Sequence, residues 1–579
     1  MNHRALLIAF IFSTYLCSCN FGASSNNDSL ATDSVTIASG GIMFNQNCGG
    51  CHNFRQDAIG PQLGGITDAV STEWIVAFVK NPTKIIESGD TRALALSKKY
   101  KVAMPAFAHL KDDEINNIIA FLHTQKPGNK QQAKETDSAI SNPIPEPIAL
   151  SGLNVGLELI TQVPASSIDN QVPLARITKL DFEPHSGERF IVDLRGKLYK
   201  LQNNKPLVYM DLPALKPNFI HEPRVATGFG SFAFHPDFAK NGLLYTSHSE
   251  KPGSGKADFG YADSIKVTLQ WVITEWKTND PQAATFSGTS RELFRVNMVT
   301  GMHGVQEIAF NPLSKPGRKD YGLLYICIGD GASVEEGYPF LAHTTDKVWG
   351  SILRIDPAGS NSSNGHYGIP ADNPFVISQH NKMLGEIYAY GFRNPHRISW
   401  TRSGKMLAAN IGQGNIEAID LVLPGHDYGW PIREGNFMLN PYGDLNKAYP
   451  LPANDSSYKI TYPVAAYDHD EGVAICGGFE YWGASIPQLN GKYLFGDIAS
   501  GRLFYINVAD IQPGKQAHVM EWKISVNGKP HTLKELCKNE RADLHFGKDA
   551  KGELYILTKT DGKVYKLVNA TIASANAHK

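Results

Sequence analysis

The chain has 579 residues, 42% of them hydrophobic, and a formal net charge of −1. This length exceeds what one hydrophobic core usually supports, so we expect two or three domains. The near-zero charge argues against a nucleic-acid-binding protein, and the apolar and aromatic content excludes an intrinsically disordered chain.

The N-terminal segment has the pattern of an export signal. A short basic start, residues 1–4, precedes an almost wholly apolar run, residues 5–16, that is too short to span a membrane. The ending Leu16-Cys17-Ser18-Cys19 resembles the lipobox of bacterial lipoproteins, which implies cleavage before Cys19 and acylation of its thiol. An ordinary signal peptide without lipid is the alternative. We therefore predict a lipoprotein signal peptide over 1–19 and an exported protein, periplasmic or at the cell surface, anchored in the membrane through Cys19.

The next two regions differ in periodicity. Residues 20–37 are rich in Ser, Asn and Asp, which predicts a flexible tether, whereas residues 38–126 have helical periodicity. Ser71 is placed to cap a helix that stops at Pro82. A second helix is predicted from apolar residues at helical spacing behind an acidic first turn: Asp112, Asp113, Ile115, Ile118, Ile119 and Leu122.

Residues 48–52, Cys-Gly-Gly-Cys-His, form a haem-attachment motif. Two thiols three positions apart on one turn can reach the two vinyl groups of one haem edge, and the adjacent His52 can bind the iron. A zinc site would need a second ligand pair, which does not follow nearby, and a redox thiol pair would lie in a βαβ context, which is absent. We therefore predict a covalent haem c held through Cys48 and Cys51, with His52 as a ligand of the iron.

The surroundings of this motif resemble a class I cytochrome c. Gly60-Pro61 follows the motif, and Met104-Pro105-Ala106-Phe107 lies where that family places its axial methionine loop. The resemblance implies Met104 as the sixth iron ligand, which raises the reduction potential and suits electron acceptance; core packing is the alternative role. We therefore predict a small all-α cytochrome c domain over 38–126 and a polar, proline-rich linker over 127–150.

Residues 151–570 contain short strands, turns and a repeated phrase. Residues 180–201 and residues 544–567 both run from an apolar strand through a glycine to a second strand and then to Gly-Lys and Tyr-Lys-Leu. Weaker copies start near Phe234, Phe310 and Trp400, and about six units can be counted. Radial repetition of small antiparallel sheets predicts an all-β six-bladed β-propeller, whereas a β-sandwich, the alternative, would not repeat a phrase.

Polar residues beside glycine turns are the candidates for a site on the axis of such a propeller. His303 enters one strand and Asp330 ends the strand that returns, so the two are expected to be neighbours across one hairpin. A histidine oriented by an aspartate is the usual make-up of a general base, and an ordinary surface or core histidine is the alternative.

Two further segments offer cofactor contacts. Arg393 and Asn394 present a fork of donors for carboxylate or carbonyl oxygens. The turn at Gly412 and Gln413 exposes backbone carbonyls, which are hard ligands for calcium. Taken alone, each segment is equally compatible with a structural turn.

Together these segments resemble the glucose/sorbosone dehydrogenase family, the soluble sugar dehydrogenases that use pyrroloquinoline quinone (PQQ). The similarity spans about residues 152–567 and includes the motifs Phe234-His235-Pro236-Asp237-Phe238, Ile328-Gly329-Asp330-Gly331, Gly391-Phe392-Arg393-Asn394-Pro395 and Tyr428-Gly429-Trp430-Pro431.

The resemblance assigns a role to each candidate residue. It implies that His303 takes the hydroxyl proton while hydride passes to PQQ, and that Asp330 orients His303. It implies that Arg393, as part of the catalytic set, and Asn394 contact the quinone. The carbonyls of Gly412 and Gln413 match the turn that holds the calcium ion of PQQ.

The chain departs from well-studied members of that family at several cofactor contacts. Thr227 and Ile411 stand in place of glutamine and Ala499 in place of lysine, and two arginines of the family fall near Glu540 and Ala542, with Arg541 between them.

The sequence therefore predicts an exported quinohaemoprotein, a PQQ-dependent sugar (aldose) dehydrogenase. It would oxidise a sugar-like alcohol or aldehyde and pass electrons to its own haem and then to a downstream cytochrome or oxidase; fusion raises the effective concentration of the acceptor. The alternative is a non-catalytic propeller binding module that carries an electron-transfer cytochrome c, since hedgehog-interacting proteins share this propeller. A propeller that only presents the haem to a partner is a third possibility.

Three cysteines remain outside the signal and the haem motif. In an oxidising compartment we expect one disulfide and one buried thiol. Cys327 lies in an apolar run and is the expected buried thiol. Cys476 with Cys537 is then the candidate bridge.

Overall fold

The computed structural model describes residues 33–49, 51–54, 57, 60–100, 104–108, 110–126, 139–224, 226–376 and 383–572. The predicted signal peptide, most of the tether and the first half of the linker lie outside these residues. The described chain has a helical N-terminal region followed by a much larger region of β-strands. Within those ranges, no helix combines the length and the apolar character needed to cross a membrane.

The helical module, residues 33–126, contains six described helices: α1 (Ser34–Asn47), α2 (Ile66–Ala69), α3 (Thr72–Lys80), α4 (Pro82–Glu87), α5 (Thr91–Lys99) and α6 (Asp112–His123). The Ser71 side chain accepts a hydrogen bond from the Trp74 amide at 3.3 Å, so the predicted cap of α3 is confirmed. Helix α6 begins at Asp112 and buries the apolar residues that its periodicity predicted.

Helices α1 and α6 pack closely and fix the position of the haem-attachment motif at the end of α1. A Cβ atom on Gly40 would overlap the Asn117 carbonyl of α6, so the approach of the two helices requires glycine there. Below this crossing, the Phe44 ring lies 5.0 Å from the Phe54 ring and 5.7 Å from the Phe121 ring. The aromatic cluster therefore supports the chain on both sides of residues 48–52.

The β module, residues 149–572, contains these described strands in chain order: β1 (Ala149–Gln162), β2 (Ile177–Phe182), β3 (Arg189–Asp193), β4 (Lys197–Gln202), β5 (Lys205–Asp211), β6 (Phe229–Phe234), β7 (Leu243–Glu250), β8 (Leu269–Thr278), β9 (Gly288–Met298), β10 (Glu307–Phe310), β11 (Leu324–Ile328), β12 (Ser351–Ile355), β13 (Ile387–Tyr390), β14 (Pro395–Trp400), β15 (Met406–Asn410), β16 (Ile416–Val422), β17 (Arg433–Glu434), β18 (Phe437–Met438), β19 (Ala465–Asp468), β20 (Ile475–Glu480), β21 (Lys492–Asp497), β22 (Leu503–Asn507), β23 (Met520–Val526), β24 (Lys529–His531), β25 (Leu544–Lys548), β26 (Leu554–Thr558) and β27 (Lys563–Ile572). Three short helices interrupt them: α7 (Leu212–Leu215), α8 (Phe238–Asn241) and α9 (Leu533–Cys537).

Most strands pair in runs of four. Strands β6–β9, β10–β13 and β14-β15-β16-β19 form three separate four-stranded sheets, and β17 pairs with β18. The other strands form one path, β20-β21-β22-β23-β1-β27-β26-β25-β2-β3-β4-β5, with β24 on β23. Along this path the parallel contacts β23–β1 and β25–β2 join runs whose internal pairing is antiparallel. Strand β1 pairs with β27, so the two ends of the module close on each other.

The repeated phrase occupies equivalent positions in two of these runs. Leu180 lies in β2 and Leu544 in β25, and each phrase continues through the next two antiparallel strands. The described part of the linker lies against the β module, since the Ile144 amide donates to Asp468 at 3.1 Å and the Ile148 amide donates to Glu471 at 3.0 Å. The domain boundaries stay predictions.

The predicted Cys476–Cys537 disulfide is wrong, since both thiols are free. Cys476 is fully buried in β20, where its Sγ lies 3.9 Å from His545 Nδ1, whereas Cys537 ends α9. An apolar strand and a helix end carry no sequence signal of whether their thiols face each other. Cys327 is a buried free thiol in β11, as predicted.

Candidate functional site

His303 and Asp330 meet at one end of the β10–β11 pair. His303 lies shortly before β10, Asp330 lies just after β11, and antiparallel pairing of Glu307 with Cys327 brings the two flanking segments together. The His303 Nδ1 and Asp330 Oδ1 atoms are 2.7 Å apart, and both side chains are buried. The contact expected across one hairpin is therefore present.

Glycine and an unusual backbone conformation allow this approach. A Cβ on Gly329 would lie 2.7 Å from the Cβ of His303, so any other residue there would push the two segments apart. His303 itself has φ +48°, which is rare for a residue other than glycine. The backbone is thus held in a strained conformation at the residue predicted to be the base.

The Asp330 carboxylate is fully hydrogen-bonded. Its Oδ1 also accepts from the Ala332 amide at 2.8 Å, and its Oδ2 accepts from the Trp430 indole N–H at 2.9 Å. Burial raises the pKa of Asp330, but the charge of His303 and its hydrogen bond, the charge of Arg393 and the Ala332 amide outweigh it, so the net shift is downward. Asp330 therefore stays ionised and holds the Nδ1–H tautomer of His303. The sequence identified Trp430 only as part of a family motif and did not predict this contact with Asp330.

The backbone of Arg393 joins this pair, while its side chain has other partners. Its carbonyl accepts from the Asp330 amide at 2.8 Å. The guanidinium donates to Glu335 at 2.7 Å and to the side chain of Gln413 at 2.9 Å, and it lies 5.8 Å from the centroid of the Trp430 ring. The next residue, Asn394, is buried beside them, so the predicted residues are brought to one end of the β module.

The turn at Gly412 and Gln413 is organised around a carboxylate. Four successive amides, those of residues 413–416, donate to Glu434 Oε1 at 2.6–3.1 Å. Such a concavity of N–H groups binds an anion, here the side chain of Glu434. The described residues contain no group of three or more His, Cys, Asp or Glu side chains suited to a metal ion. Calcium binding through the carbonyls of Gly412 and Gln413 therefore stays a prediction.

A second group of polar side chains, which the sequence analysis did not identify, converges beside this site. We call it the central cluster; its members are Gln306, His396, His545 and Lys559. His396 Nδ1 lies 2.7 Å from the Gln306 Oε1 atom, and the His396 and His545 rings are 5.7 Å apart. The Nε2 atoms of both imidazoles are buried and have no hydrogen-bond partner in the described structure.

The charges of the central cluster suit an anionic ligand. Burial, together with the charges of Lys559 and Arg397, holds the pKa of both imidazoles well below their usual range. Burial and the charges of Arg176, Arg541 and Arg397 lower the pKa of Lys559 to about 8, although Asp543 opposes them. Within the described ranges the Lys559 ammonium forms no hydrogen bond. His396 Nδ1 donates to the Gln306 Oε1 atom, which leaves the Nε2 atom of that neutral ring as an acceptor, so the Lys559 ammonium is the group that can attract a carboxylate here.

The haem-attachment motif has the geometry that an iron ligand needs. The amides of Cys51 and His52 both donate to the Cys48 carbonyl at 3.0 Å, so the three residues lie on one turn. His52 Nδ1 lies 2.8 Å from the Pro61 carbonyl, which fixes the proton on Nδ1 and leaves Nε2 free to bind iron. A Cβ on Gly60 would lie 2.9 Å from that Nδ1 atom, so glycine is required beside the ring.

Burial completes the case that these residues fit a haem. Cys48 and His52 are each only 9% exposed, and burial lowers the pKa of His52, which keeps the imidazole neutral as a ligand. Met104 is half-buried, and its role as the sixth ligand stays a prediction.

Two family models match the chain, and both agree with the arrangement just described. The model described as Glucose / Sorbosone dehydrogenase matches residues 176–566, and the model described as Cytochrome c matches residues 37–126.

Curated relatives match about half of the chain. The HIPL1 protein of Arabidopsis thaliana is 30% identical over 47% of this chain and 42% of its own length. Quinoprotein glucose dehydrogenase B of Acinetobacter calcoaceticus is 26% identical over 55% of this chain and 64% of its own length. The chain thus spans less than two thirds of the curated relatives it matches. Among solved structures, the soluble aldose sugar dehydrogenase of Escherichia coli in the apo form matches with a TM-score of 0.49 and 19% identity, over 72% of this chain and 100% of that one.

The match to the first family covers more than half of the chain. The residues that it includes contain the His303–Asp330 pair, Arg393, Asn394 and the central cluster, and the second match contains the haem-attachment motif. This chain therefore belongs to the glucose/sorbosone dehydrogenase family and carries a cytochrome c domain on its N-terminal side.

Proposed function

We propose that this chain is an exported sugar dehydrogenase, an aldose dehydrogenase that uses PQQ and calcium and passes electrons to a haem c bound by its own helical module. The observation that carries the proposal is the buried His303–Asp330 pair. Asp330 occupies Nδ1 of the imidazole, and the other ring nitrogen, Nε2, forms no hydrogen bond among the described residues. An imidazole held in one tautomer by an ionised carboxylate can act as a general base.

The proton chemistry belongs to the protein. His303 Nε2 takes the proton of the substrate hydroxyl, and Asp330 stabilises the imidazolium that forms. Trp430 and Ala332 hold the carboxylate of Asp330 in place, so the ring keeps one orientation during the transfer. PQQ, when bound, supplies a quinone that accepts the hydride from the substrate carbon atom that bears this hydroxyl group.

The Lys559 ammonium gives the central cluster a charge that fits a quinone carrying carboxylates. His396 and His545 each present a buried nitrogen without a partner, and Lys559 presents an ammonium group. Lys559 follows β26, in the same part of the chain as Glu540 and Ala542, the positions where other family members have arginines. We propose that Lys559 replaces part of the charge that those positions lack, with Arg393 and Asn394 as further contacts of the cofactor.

We also propose that the runs of four strands are the six blades of a propeller. Three separate four-stranded sheets support this count, as do the runs β2–β5, β20–β23 and β25-β26-β27-β1 within the long path. In this arrangement the first strands of the runs surround an axis. The contacts among Gln306, His396, Cys476 and His545, which belong to different runs, support such a convergence.

Reconstitution tests the proposed activity. Purified protein with haem is loaded with PQQ and Ca²⁺, and aldoses, alcohols and aldehydes are screened for reduction of the haem in the visible spectrum. We expect reduction with at least one aldose, dependent on PQQ. If no substrate reduces the haem while dithionite does, the non-catalytic binding module becomes the better interpretation.

Replacing Lys559 with methionine should weaken PQQ binding by a factor of about 10–100. Methionine keeps the volume of the side chain but removes the charge, and a hydrogen bond to a charged group contributes about 1.5–3 kcal/mol. Equilibrium titration of quinone absorbance measures the affinity without turnover. Affinity for the wild type should also fall as the pH rises through about 8, because only the ammonium form attracts a carboxylate.

Lys551→Met is the matched control for this variant. Lys551 is exposed and lies in the loop between β25 and β26, and its ammonium forms no hydrogen bond in the described structure. Equal affinity in Lys559→Met and Lys551→Met would exclude Lys559 as a cofactor contact.

We propose that the mature protein is anchored through a lipid on Cys19. Cys19→Ala should move the protein from the membrane fraction to the soluble fraction, because loss of the acyl chains removes a strongly apolar anchor. Immunoblots of fractionated cells measure the distribution, with Cys327→Ala as a control that leaves the lipobox intact. Continued sedimentation of Cys19→Ala with membranes would contradict lipid anchoring at that residue.

A further inference from the structure

The loop that follows α1 lies directly against the β module. We call it the haem-binding loop, with described residues 48–49, 51–54 and 57. The Arg224 guanidinium donates a hydrogen bond to the Gly49 carbonyl within the attachment motif. The Asn446 side chain donates to the Asp57 carbonyl at the other end of the loop. Two side chains that are far apart in the sequence of the β module therefore bind the backbone of one short segment.

A third residue of the β module lies beside the second cysteine of the motif. Burial raises the pKa of the Cys51 thiol, and the nearby charge of Arg541 acts in the opposite direction. Arg541 is in turn fixed by Asp543, whose Oδ1 accepts from its guanidinium at 2.9 Å and 3.2 Å. The guanidinium therefore has a defined position next to the thiol through which we expect one haem bond.

Two of these residues, Arg224 and Asn446, adjoin elements of the candidate site. A Cβ on Gly301, two residues before His303, would lie 2.9 Å from Arg224 Cγ. A Cβ on Gly414, which follows Gln413, would lie 2.5 Å from Asn446 Oδ1. The haem-binding loop thus lies at the end of the β module where His303 and the turn at residue 413 also lie.

Charge links this contact to the site itself. Burial lowers the pKa of Arg224, and the carboxylates of Glu335 and Glu336 oppose that shift. Glu335 also forms the 2.7 Å ion pair with Arg393. Glu335 therefore forms an ion pair with the cation of the candidate site and lies close enough to the cation that binds the loop to favour its charged form.

We infer that the haem-binding loop docks the helical module on the catalytic end of the β module, with Arg224 and Asn446 as anchors and the charge of Arg541 near Cys51, so that electrons cross this contact without displacement of the module. The identity of the electron donor rests on the proposed function, whereas the docking does not. Oxidation of one hydroxyl group releases two protons and two electrons. The haem iron takes the electrons singly, in two ferric-to-ferrous steps, and returns each to a downstream one-electron acceptor.

The docking is tested with haem-loaded protein in the absence of quinone and substrate. In Arg224→Gln/Asn446→Ala, amide hydrogen exchange of the haem-binding loop should accelerate about tenfold or more, because the loop loses both side-chain anchors. The single variant Asn446→Ala should give a smaller acceleration of the same exchange. It provides the measurement if the double variant folds poorly. Arg318→Gln is the control, since Arg318 is exposed and lies in the loop between β10 and β11; exchange at the haem-binding loop should not change.

A redox titration provides a second, independent readout. A cation near the haem disfavours the more positive ferric state, so Arg541→Gln should shift the midpoint potential downward, while Arg318→Gln should leave it unchanged. Wild-type exchange in the double variant together with an unaltered potential in Arg541→Gln would overturn the docking. If the variants show the expected faster exchange and lower potential but the wild type shows no substrate-driven haem reduction, the proposed function is refuted and the docking stands.

Discussion

His303→Ala should slow substrate-driven haem reduction by a factor of about 10²–10⁴, the range expected for loss of a general base. The effect should fall on the chemical step, because the proposed contacts of PQQ are Arg393, Asn394 and Lys559. Stopped-flow absorbance at the haem band measures the rate in protein loaded with PQQ and Ca²⁺. Unaltered quinone affinity and normal reduction by dithionite confirm that the variant is folded.

His366→Ala is the matched control for this experiment. His366 is exposed and lies between β12 and β13, in the four-stranded sheet whose first strand, β10, follows His303. Its loss should therefore leave the rate unchanged. Full activity in His303→Ala would show that another group takes the proton, even if the protein is a sugar dehydrogenase.

Asp330→Asn should reduce the rate less than His303→Ala, since an amide oxygen still orients the imidazole but stabilises the imidazolium poorly. Because Asp330 acts through His303, the double variant should be little slower than His303→Ala alone. Additive losses in the double variant would mean that Asp330 has a separate role.

Asp330→Asn also tests the contact with Trp430. The Asp330 carboxylate accepts three hydrogen bonds, whereas asparagine would turn its amide N–H₂ towards the Trp430 indole N–H. Two donors facing each other in a buried site should cost about 1–3 kcal/mol of stability. Removing one of them in Asp330→Asn/Trp430→Phe should restore part of that loss in thermal unfolding.

Gly60→Ala should abolish or strongly reduce haem incorporation. A methyl group there would overlap the Cε1 atom of His52 and lie 2.9 Å from its Nδ1 atom, so the ring must move and lose its bond to the Pro61 carbonyl. A displaced imidazole is poorly placed to bind the iron of a haem held by Cys48 and Cys51. The ratio of haem to protein and the low-spin absorbance bands measure the effect.

The control is Gly89→Ala in the same module. Gly89 has φ +83° but no atom within 4 Å of the added methyl group, so the substitution introduces only backbone strain of about 1–2 kcal/mol. Haem content should stay near that of the wild type. Normal haem content and an unchanged spectrum in Gly60→Ala would contradict the proposed close packing of His52.

The sequence by itself determined the features that depend on neighbours in the chain. Ser71 caps α3 and Asp112 begins α6, because capping and helical periodicity act over a few residues. The haem-attachment motif is equally local. His303 and Asp330 are 27 positions apart, but they flank one antiparallel pair of strands, and such pairing can be inferred from adjacent strands and turns.

Only the tertiary structure decided which distant side chains meet. Trp430 donates to Asp330 across 100 positions, and the central cluster joins His396 to His545 from separate runs of strands. The same limit explains why the predicted Cys476–Cys537 bridge is wrong. Periodicity identifies the buried face of a strand, but the facing residues depend on how the runs are arranged around one another. The contacts of Arg224 and Asn446 with the haem-binding loop are of this kind, because they join two modules whose sequence patterns contain no information about each other.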